Sequence, residues 1–347
     1  MDMGGLPTVL WAMGKHSGQA EVVEQACGAL RDIAADPGGA RRVAGEGGEQ
    51  LIVAMCALSR HAGVQTQACG VIKNIAADGI ARRTLLDVSG PPQIENGGAR
   101  IPGGVPPVRS MPDGPGRATR AVCAALQAHL DVSLTVEQAC GALWNLSSDS
   151  AARSAAVDFD AVGMALRALD RHPEFVSVQE ACLGALSALI MDAKGKVALA
   201  HHREVDGGGI GQVMAAVRRH GRNCAVVVQA AAVLRGLGGE AGFQQAMLDL
   251  GAAEQLTDAI RRFPEDAGLL EQAAGALKCL VGDGAQRIQT SLGETIDLIV
   301  DGMLLHAQSA PVQEQCCAAL GVFAAHELAR SKISTAGGVG AILDAVR

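Results

Sequence analysis

Four cysteines that recur at one position of a repeated pattern are the first candidates for chemistry in this chain of 347 residues. They are Cys27, Cys69, Cys140 and Cys317, and thiolates are common zinc ligands and disulfide partners. Each belongs to a different copy of the pattern. Neighbouring helices lie about 8–10 Å apart, which is too far for a disulfide or a shared zinc site. No C-x-x-C pair occurs in the sequence. We therefore expect buried small side chains and no metal site.

Five histidines occupy a second repeated position, twelve residues before the reference position defined below: His16, His129, His172, His220 and His306. Each falls where a predicted helix ends, and a histidine there interacts favourably with the carbonyls of the last turn. The segment "DGGGIG" at 206–211 follows no predicted strand and lacks the G-x-x-x-x-G-K-[ST] pattern of a phosphate-binding loop. No G-x-S-x-G nucleophile motif occurs either. We expect no catalytic residue, no cofactor and no enzymatic activity.

The elements that position these residues are copies of one phrase. "VEQACGALWNLSSD" at 136–149 repeats "VEQACGALRDIAAD" at 23–36 and resembles "QACGVIKNIAAD" at 67–78. With Gly28 taken as position zero, the frame returns at steps of 42, 71, 43, 48, 43 and 43 residues. The seven zero positions are Gly28, Gly70, Gly141, Gly184, Ala232, Gly275 and Ala318.

Each copy predicts an amphipathic helix that cannot bury its own apolar stripe. Apolar or small residues recur at positions −6, −2, +2 and +5, so that spacings of 4, 4 and 3 place them on one helical face. Position +2 is Leu30, Leu143 and Leu277 in three of the copies. Stacked copies would bury the stripe continuously.

The rest of each copy predicts two further helices. An acid follows the stripe eight residues after position zero, as at Asp36 and Asp149, and a carboxylate there caps the first turn of a new helix. A short helix, a glycine turn and a second amphipathic stretch follow, as in "GAAEQLTDAIRR" and "GGEQLIVAMCAL". We call these the first and second helices of a repeat, and the aligned helix the third.

The step of 42–43 residues, the three-helix unit and "EQACGALWNLSSD" resemble the armadillo family over nearly the whole chain, with the HEAT repeats as the nearest rival. The resemblance implies an all-α fold, a right-handed superhelical solenoid of about seven three-helix repeats whose third helices line a concave groove. We expect one domain over 1–347. The chain opens with a second helix near Leu6–Met13 and closes with another, so both end repeats are incomplete.

Two insertions interrupt the rhythm of the repeats. Residues 88–117 hold seven of the chain's 12 prolines, which predicts a disordered loop between the first and second helices of the third repeat. Residues 201–209, "HHREVDGGG", predict a shorter loop insertion.

Composition excludes several functional classes. A net charge of −7 and an aromatic content of 2% give neither the positive surface nor the stacking platforms of a nucleic-acid-binding protein. No run of 18 apolar residues predicts a membrane span, and no basic start precedes an apolar N-terminal core. Ten cysteines without a secretory signal are typical of reduced thiols. We expect a cytoplasmic protein, with the nucleus as a further compartment.

The candidate binding residues lie at positions +3 and +4 of the third helices, away from the buried stripe: Arg31, Asp32, Lys73, Asn74, Trp144, Asn145, Arg235 and Lys278. An ordinary solvated helix face of mixed charge explains many of them equally well. The family resemblance implies a peptide-binding groove instead. Asn74 and Asn145 match the asparagine ladder with which proteins such as importin-α hold a peptide main chain. The tryptophan column of importin-α corresponds to position zero, which is Gly or Ala throughout, and Trp144 lies three residues away.

The function that these residues favour is a non-catalytic scaffold or adaptor that binds an extended protein segment. The basic residues at +3 favour an acidic or phosphorylated segment, as in the groove of β-catenin. Two alternatives stay open: a nuclear transport adaptor similar to importin-α, and a regulatory armadillo module of a larger signalling enzyme.

Overall fold

The computed structural model describes residues 5–88, 116–202, 208–239, 241–284 and 289–346, and over these residues the chain is helical, without strands. The helices form two compact units, Met1–Gly195 and Lys196–Arg347. The helices of the first unit are α1 Gly5–Lys15, α2 Ala20–Ile33, α3 Pro37–Ala57, α4 Ala62–Ala77, α5 Gly79–Leu86, α6 Arg117–Ala128, α7 Ser133–Leu146, α8 Ser150–Asp158, α9 Ala161–Arg171 and α10 Val176–Leu189. The boundary falls within α11 Ala193–His201, and the second unit continues with α12 Gly208–His220, α13 Cys224–Leu237, α14 Ala241–Asp249, α15 Ala252–Arg262, α16 Ala267–Gly284, α17 Gln289–Leu305, α18 Ala310–Phe323, α19 Glu327–Thr335 and α20 Gly338–Val346.

The predicted third helices form as helices in all seven places, and their apolar stripes are buried as expected. They are α2, α4, α7 and α10 in the first unit and α13, α16 and α18 in the second. At position +2, Leu30, Leu143 and Leu277 are at most 1% exposed. The stripe shifts by one residue in α2, where Val22 and Ile33 are only half-buried.

Neighbouring third helices pack against each other inside each unit. In the first unit the contacts run from α2 to α4, from α4 to α7 and from α7 to α10; in the second they run from α13 to α16 and from α16 to α18. Each of these third helices also packs against the second helix that precedes it in its own repeat, as α9 does against α10 and α15 against α16. The apolar core of each unit is therefore the layer between second and third helices.

Aspartate caps fix the start of several first helices. Asp36, Asp78, Asp149 and Asp192 each accept a hydrogen bond from a first-turn backbone N–H at 2.8–2.9 Å. This confirms the capping prediction at four of the seven repeats. His326, at the same position, makes no side-chain cap. The side chains at 240 and 283 lie outside the described residues.

The second repeat departs from the three-helix prediction, because its first and second helices are one continuous helix, α3. Gly47 and Gly48, which the sequence suggested as a turn, lie inside α3 and are buried. A Cβ on Gly47 would lie 2.8 Å from Leu10 Cδ2, and one on Gly48 would lie 3.1 Å from Leu85 Cδ1. These glycines therefore let α1 and α5 approach α3 closely, and no turn forms between them.

Glycine turns do form before two later second helices. Gly251 has φ +74° and Gly337 has φ +81°, a conformation that favours glycine, and α15 and α20 begin directly after them. Asp160 takes the same conformation, with φ 60°, before α9.

The two predicted insertions fall mostly outside the described residues. Residues 89–115 lie outside them, between α5 and α6, and so do 203–207, between α11 and α12. The ends of both insertions are helical. Arg117 begins α6 with an exposure of 2%, and His201 ends α11, while Gly208 and Gly209 begin α12. No described helix is both long and apolar enough to cross a membrane.

Buried glutamines join second helices to third helices. Gln65, at position −5 of α4, donates from Nε2 to the carbonyls of Met55 and Leu58 at 2.9 and 3.1 Å. Gln179 of α10 and Gln313 of α18 make the equivalent bonds. These bonds satisfy carbonyls at the end of each second helix, which have no partner within that helix.

The cap at α8 leads to a first prediction. Asp149→Ala removes the acceptor for the Ala152 N–H and should cost about 1 kcal/mol of stability, seen as a lower midpoint of urea denaturation. Asp149→Asn keeps an acceptor oxygen and serves as the matched control. Equal losses in the two variants would contradict the cap assignment.

A second prediction concerns Asp78, which also receives two bonds from Arg41, at 3.1 and 2.9 Å. The Arg41 hydrogen bond and the N–H groups of α5 hold the pKa of Asp78 below its usual range. Its stabilising effect is therefore complete above the unfolded pKa of about 3.9 and is lost as pH falls through the lower folded pKa. The difference in denaturation midpoint between wild type and Asp78→Asn should be larger at pH 7 than at pH 3; a constant difference would refute this account.

Candidate functional site

The predicted binding residues divide between the two units. Arg31 and Asp32 lie on α2, Lys73 and Asn74 on α4, and Trp144 and Asn145 on α7, so the contacts between these helices bring six of the eight onto adjacent helices of the first unit. Arg235 on α13 and Lys278 on α16 belong to the second unit. We call the +3 and +4 face of α2, α4 and α7 the third-helix face.

The residues at +3 do not project freely, because each lies over position zero of the next third helix. A Cβ on Gly70 would lie 2.9 Å from Arg31 Cδ, and a Cβ on Gly141 would lie 2.9 Å from Lys73 Cδ. In the second unit Arg235 lies in the same way over Gly275, at 2.7 Å. Position zero is therefore glycine because a long side chain from the preceding repeat occupies the space of a Cβ.

Trp144 follows the same arrangement. A Cβ built on Gly184 of α10 would overlap the indole ring, so the ring lies directly on the backbone of α10. The tryptophan is half-buried and part of its surface contacts the chain itself. The signal for this packing was present in the sequence, since a bulky +3 residue is followed by a glycine at the next position zero in four repeats.

The two asparagines are oriented by bonds between repeats. Asn74 Nδ2 donates to the backbone carbonyl of Arg31 at 3.0 Å, and Asn145 Nδ2 donates to that of Lys73 at 2.9 Å. One amide N–H of each side chain is thus used within the fold. Among the described residues no donor reaches either Oδ1, which leaves both oxygens as acceptors for a main-chain N–H.

The charges of the site are partly neutralised within the chain. Arg235 pairs with Glu271 at 3.0 Å, and Arg31 contacts the neighbouring Asp32 at 3.4 Å. Lys278 Nζ lies 3.4 Å from the amide oxygen of Gln315. Lys73 has no ion pair with any residue that the structure describes. The positive charge expected along position +3 is therefore concentrated at Lys73 rather than shared by four repeats.

A row of Glu–Gln pairs borders position zero and was missed by the sequence reasoning. At positions −4 and −3, the Gln side chain donates to the Glu before it, at 2.9 Å for Gln138 and Glu137 and 3.1 Å for Gln272 and Glu271. The recurrent "EQ" dipeptide was the available signal. Gln67, at the same position of α4, has a buried Oε1 without a hydrogen-bond partner. These pairs add acceptors to the site and partly offset its positive charge.

The cysteines are buried, and one sulfur pair meets across repeats. Cys140 Sγ and Cys182 Sγ lie 3.4 Å apart, although equivalent cysteines were expected to be too distant. The contact forms because it joins position −1 of α7 to position −2 of α10. Burial raises the pKa of the Cys123 thiol to about 12 and that of Cys182 well above its usual range. The described residues contain no group of three or more His, Cys, Asp or Glu that could hold a metal ion.

The histidines bind carbonyls of the preceding repeat and not those of their own helix. His129 Nε2 donates to the Ser59 carbonyl and His172 Nε2 to the Leu130 carbonyl, both at 2.8 Å. His306 makes the equivalent bond to Pro264 in the second unit. This corrects the expectation that each would act on its own helix end, because the turn of the preceding repeat lies closer.

A cavity of about 330 Å³ lies in the second unit among α11, α12 and α14. Small and apolar side chains line it, including Leu199, Ile210 and Phe243, and none of the described lining residues is titratable. Gly208–Gly211 of the segment "DGGGIG" lie in the first turn of α12, while 206 and 207 lie outside the described residues.

Comparison with known proteins identifies relatives of the fold only. No family model and no curated protein matches the chain. Two engineered proteins align with a TM-score of 0.59 and 19% identity over 80% of this chain, and over 97% and 99% of their own. A chain from work on a phosphorylation switch that controls the interaction between cadherin and beta-catenin aligns with a TM-score of 0.56 and 16% identity, over 97% of this chain and 65% of that one. This chain is therefore an all-helical protein with an armadillo protein among its structural neighbours.

The packing of Trp144 on Gly184 can be tested directly. Gly184→Ala should displace the ring and cost about 1–3 kcal/mol, which exceeds the gain in helix propensity of about 1 kcal/mol. Gly28→Ala is the matched control, since the nearest heavy atom to its Cβ would lie at 3.8 Å, and it should be neutral or stabilising. In a Trp11→Phe background, urea denaturation followed by Trp144 fluorescence measures both effects. An equal response of the two variants would exclude the contact.

Proposed function

We propose that this chain is a non-catalytic protein-interaction module, a right-handed armadillo-like superhelix of about seven repeats in one domain over 1–347. Its third-helix face holds an extended segment of a partner protein. The observation that carries the proposal is the placement of Asn74 and Asn145 at equivalent positions of adjacent helices. Both amides are fixed through Nδ2, and both Oδ1 atoms can accept from the main chain of a bound segment.

The partner segment that fits this face best is acidic or phosphorylated. Lys73 lies between the two asparagines' helices without a described ion pair, and Arg31 lies one repeat away beside the exposed Asp32. A phosphate or carboxylate near Lys73 would form a charge-assisted hydrogen bond. A similarly folded chain comes from work on a phosphorylation-controlled interaction between cadherin and beta-catenin, which agrees with this choice but at 16% identity does not establish it.

A nuclear transport adaptor fits this face less well. Basic peptides would meet Arg31 and Lys73, whose side chains cover position zero of α4 and α7. Like charges at this distance disfavour binding. We therefore propose that basic peptides bind weakly.

Support for a non-catalytic role comes from the chemistry of the described residues. The described cavity is lined without titratable groups, and burial raises the thiol pKa of Cys27 and Cys123 to about 12, so neither thiol is a nucleophile at neutral pH. We propose no cofactor and no nucleic-acid partner, and a location in the cytoplasm, with the nucleus as a further compartment.

The test is a selection of extended peptides from a display library that contains acidic and phosphorylated members, followed by fluorescence anisotropy with the selected peptides. Lys73→Glu should weaken their binding about tenfold or more, because it replaces an attraction by a repulsion. Arg83→Glu is the matched control, since it makes the same change in charge at an exposed site on α5, outside the third helices. It should leave binding unchanged.

Asn145→Asp adds a second arm to this test. A carboxylate keeps the acceptor but loses the Nδ2 bond to the Lys73 carbonyl and adds negative charge, so it should also weaken an acidic peptide. Selection of basic peptides, or binding that Lys73→Glu and Arg83→Glu affect equally, would refute the proposed function.

A further inference from the structure

The last described helix, α20, exposes an apolar stripe. Val339, Leu343 and Val346 are 54%, 58% and 81% exposed, and their spacing of four and three residues places them on one helical face. Apolar side chains that form such a continuous face normally mark a contact surface.

The equivalent second helix within the unit, α15, buries the same positions. The two helices align at Gly251 and Gly337, which share a positive φ. The counterparts of the three exposed residues are therefore Ala253, Thr257 and Ile260, which are 1%, 2% and 3% exposed. The positions differ in their surroundings, since all but one of the six side chains are apolar.

The difference is the third helix. In the second unit α12 packs against α13, α15 against α16 and α17 against α18, so each second helix is covered by the third helix of its own repeat. Helix α20 packs against α17, α18 and α19. The side of α20 that remains exposed is thus the side on which a third helix lies in the other repeats.

The adjoining flank of α18 is uncovered as well. Position −1 is fully buried at Ala231 and Ala274, where a further third helix or its own unit covers it, but Cys317 at the same position is half-exposed. Cys317 on α18 and the stripe of α20 are two sides of the place that one more helix would fill.

We propose that this surface, formed by Val339, Leu343, Val346 and Cys317 and called the α20 face, binds an amphipathic α-helix of a partner protein. The bound helix would carry small and aliphatic residues at spacings of 4, 4 and 3, the pattern of the third helices. The proposal rests on continuity with the packing layer inside the unit and not on the third-helix face.

A second copy of this chain is a poorer occupant. The stripes of all its described third helices are buried in their own units, so a second copy has no third helix to offer without unfolding. A separate helix with the same stripe, supplied by another protein, satisfies the surface without that cost.

The test uses a labelled synthetic peptide with the sequence of residues 267–280, which carries the stripe Leu269, Ala273, Leu277 and Leu280. It should bind the full chain saturably in fluorescence anisotropy, and the same peptide with aspartate in place of Leu277 should not. Leu343→Glu should weaken binding about tenfold or more, because it removes a leucine contact and buries a charge. Leu134→Glu, which changes a similarly exposed leucine of the first unit, should have no effect.

Circular dichroism checks that both variants keep their helicity, and sedimentation velocity measures self-association. Absence of peptide binding, equal binding to both variants, or a dimer that Leu343→Glu dissociates would each overturn the proposal. Binding of the acidic peptides selected on the third-helix face should be unchanged in Leu343→Glu, so that failure of one proposal is distinguishable from failure of the other.

Discussion

The structure depends on one constraint: no third helix can bury its apolar stripe alone. The stripe is composed of leucine, valine, alanine and cysteine with almost no aromatic residues, so neighbouring helices must pack closely to cover it. The contact of the Cys140 and Cys182 sulfurs at 3.4 Å shows how close they come. Each helix is thus stabilised mainly by the helices beside it, as in repeat proteins generally. The same constraint explains why α20, which lacks a covering third helix, presents an apolar face.

Polar side chains then set the register that the apolar layer leaves undefined. Apolar burial is not directional, whereas the bonds from Asn74 to the Arg31 carbonyl and from His172 to the Leu130 carbonyl each fix one repeat against the next. This register places the +3 side chains over the glycines of the following helix. A face ordered in this way before binding loses little conformational entropy when a segment docks on it.

Fold and function are separate conclusions for this chain. Engineered proteins and a chain from work on cadherin and beta-catenin share its fold at identities below 20%, and a shared solenoid hosts many different partners. The partner must therefore be inferred from side chains. The pairing of Arg235 with Glu271 and the unpaired Lys73 make the first unit the better candidate for an acidic segment.

The sequence by itself determined the helices, their buried stripes and the aspartate caps, because these depend on spacings within one helix or one turn. It also identified the residues of positions +3 and +4. Only the tertiary structure decided what those residues contact: Trp144 lies on Gly184, Asn145 donates to the Lys73 carbonyl, and α3 runs through Gly47 without a turn. These outcomes depend on the offset and rotation between neighbouring helices, and interactions between repeats that are some 40 residues or more apart in the chain set both.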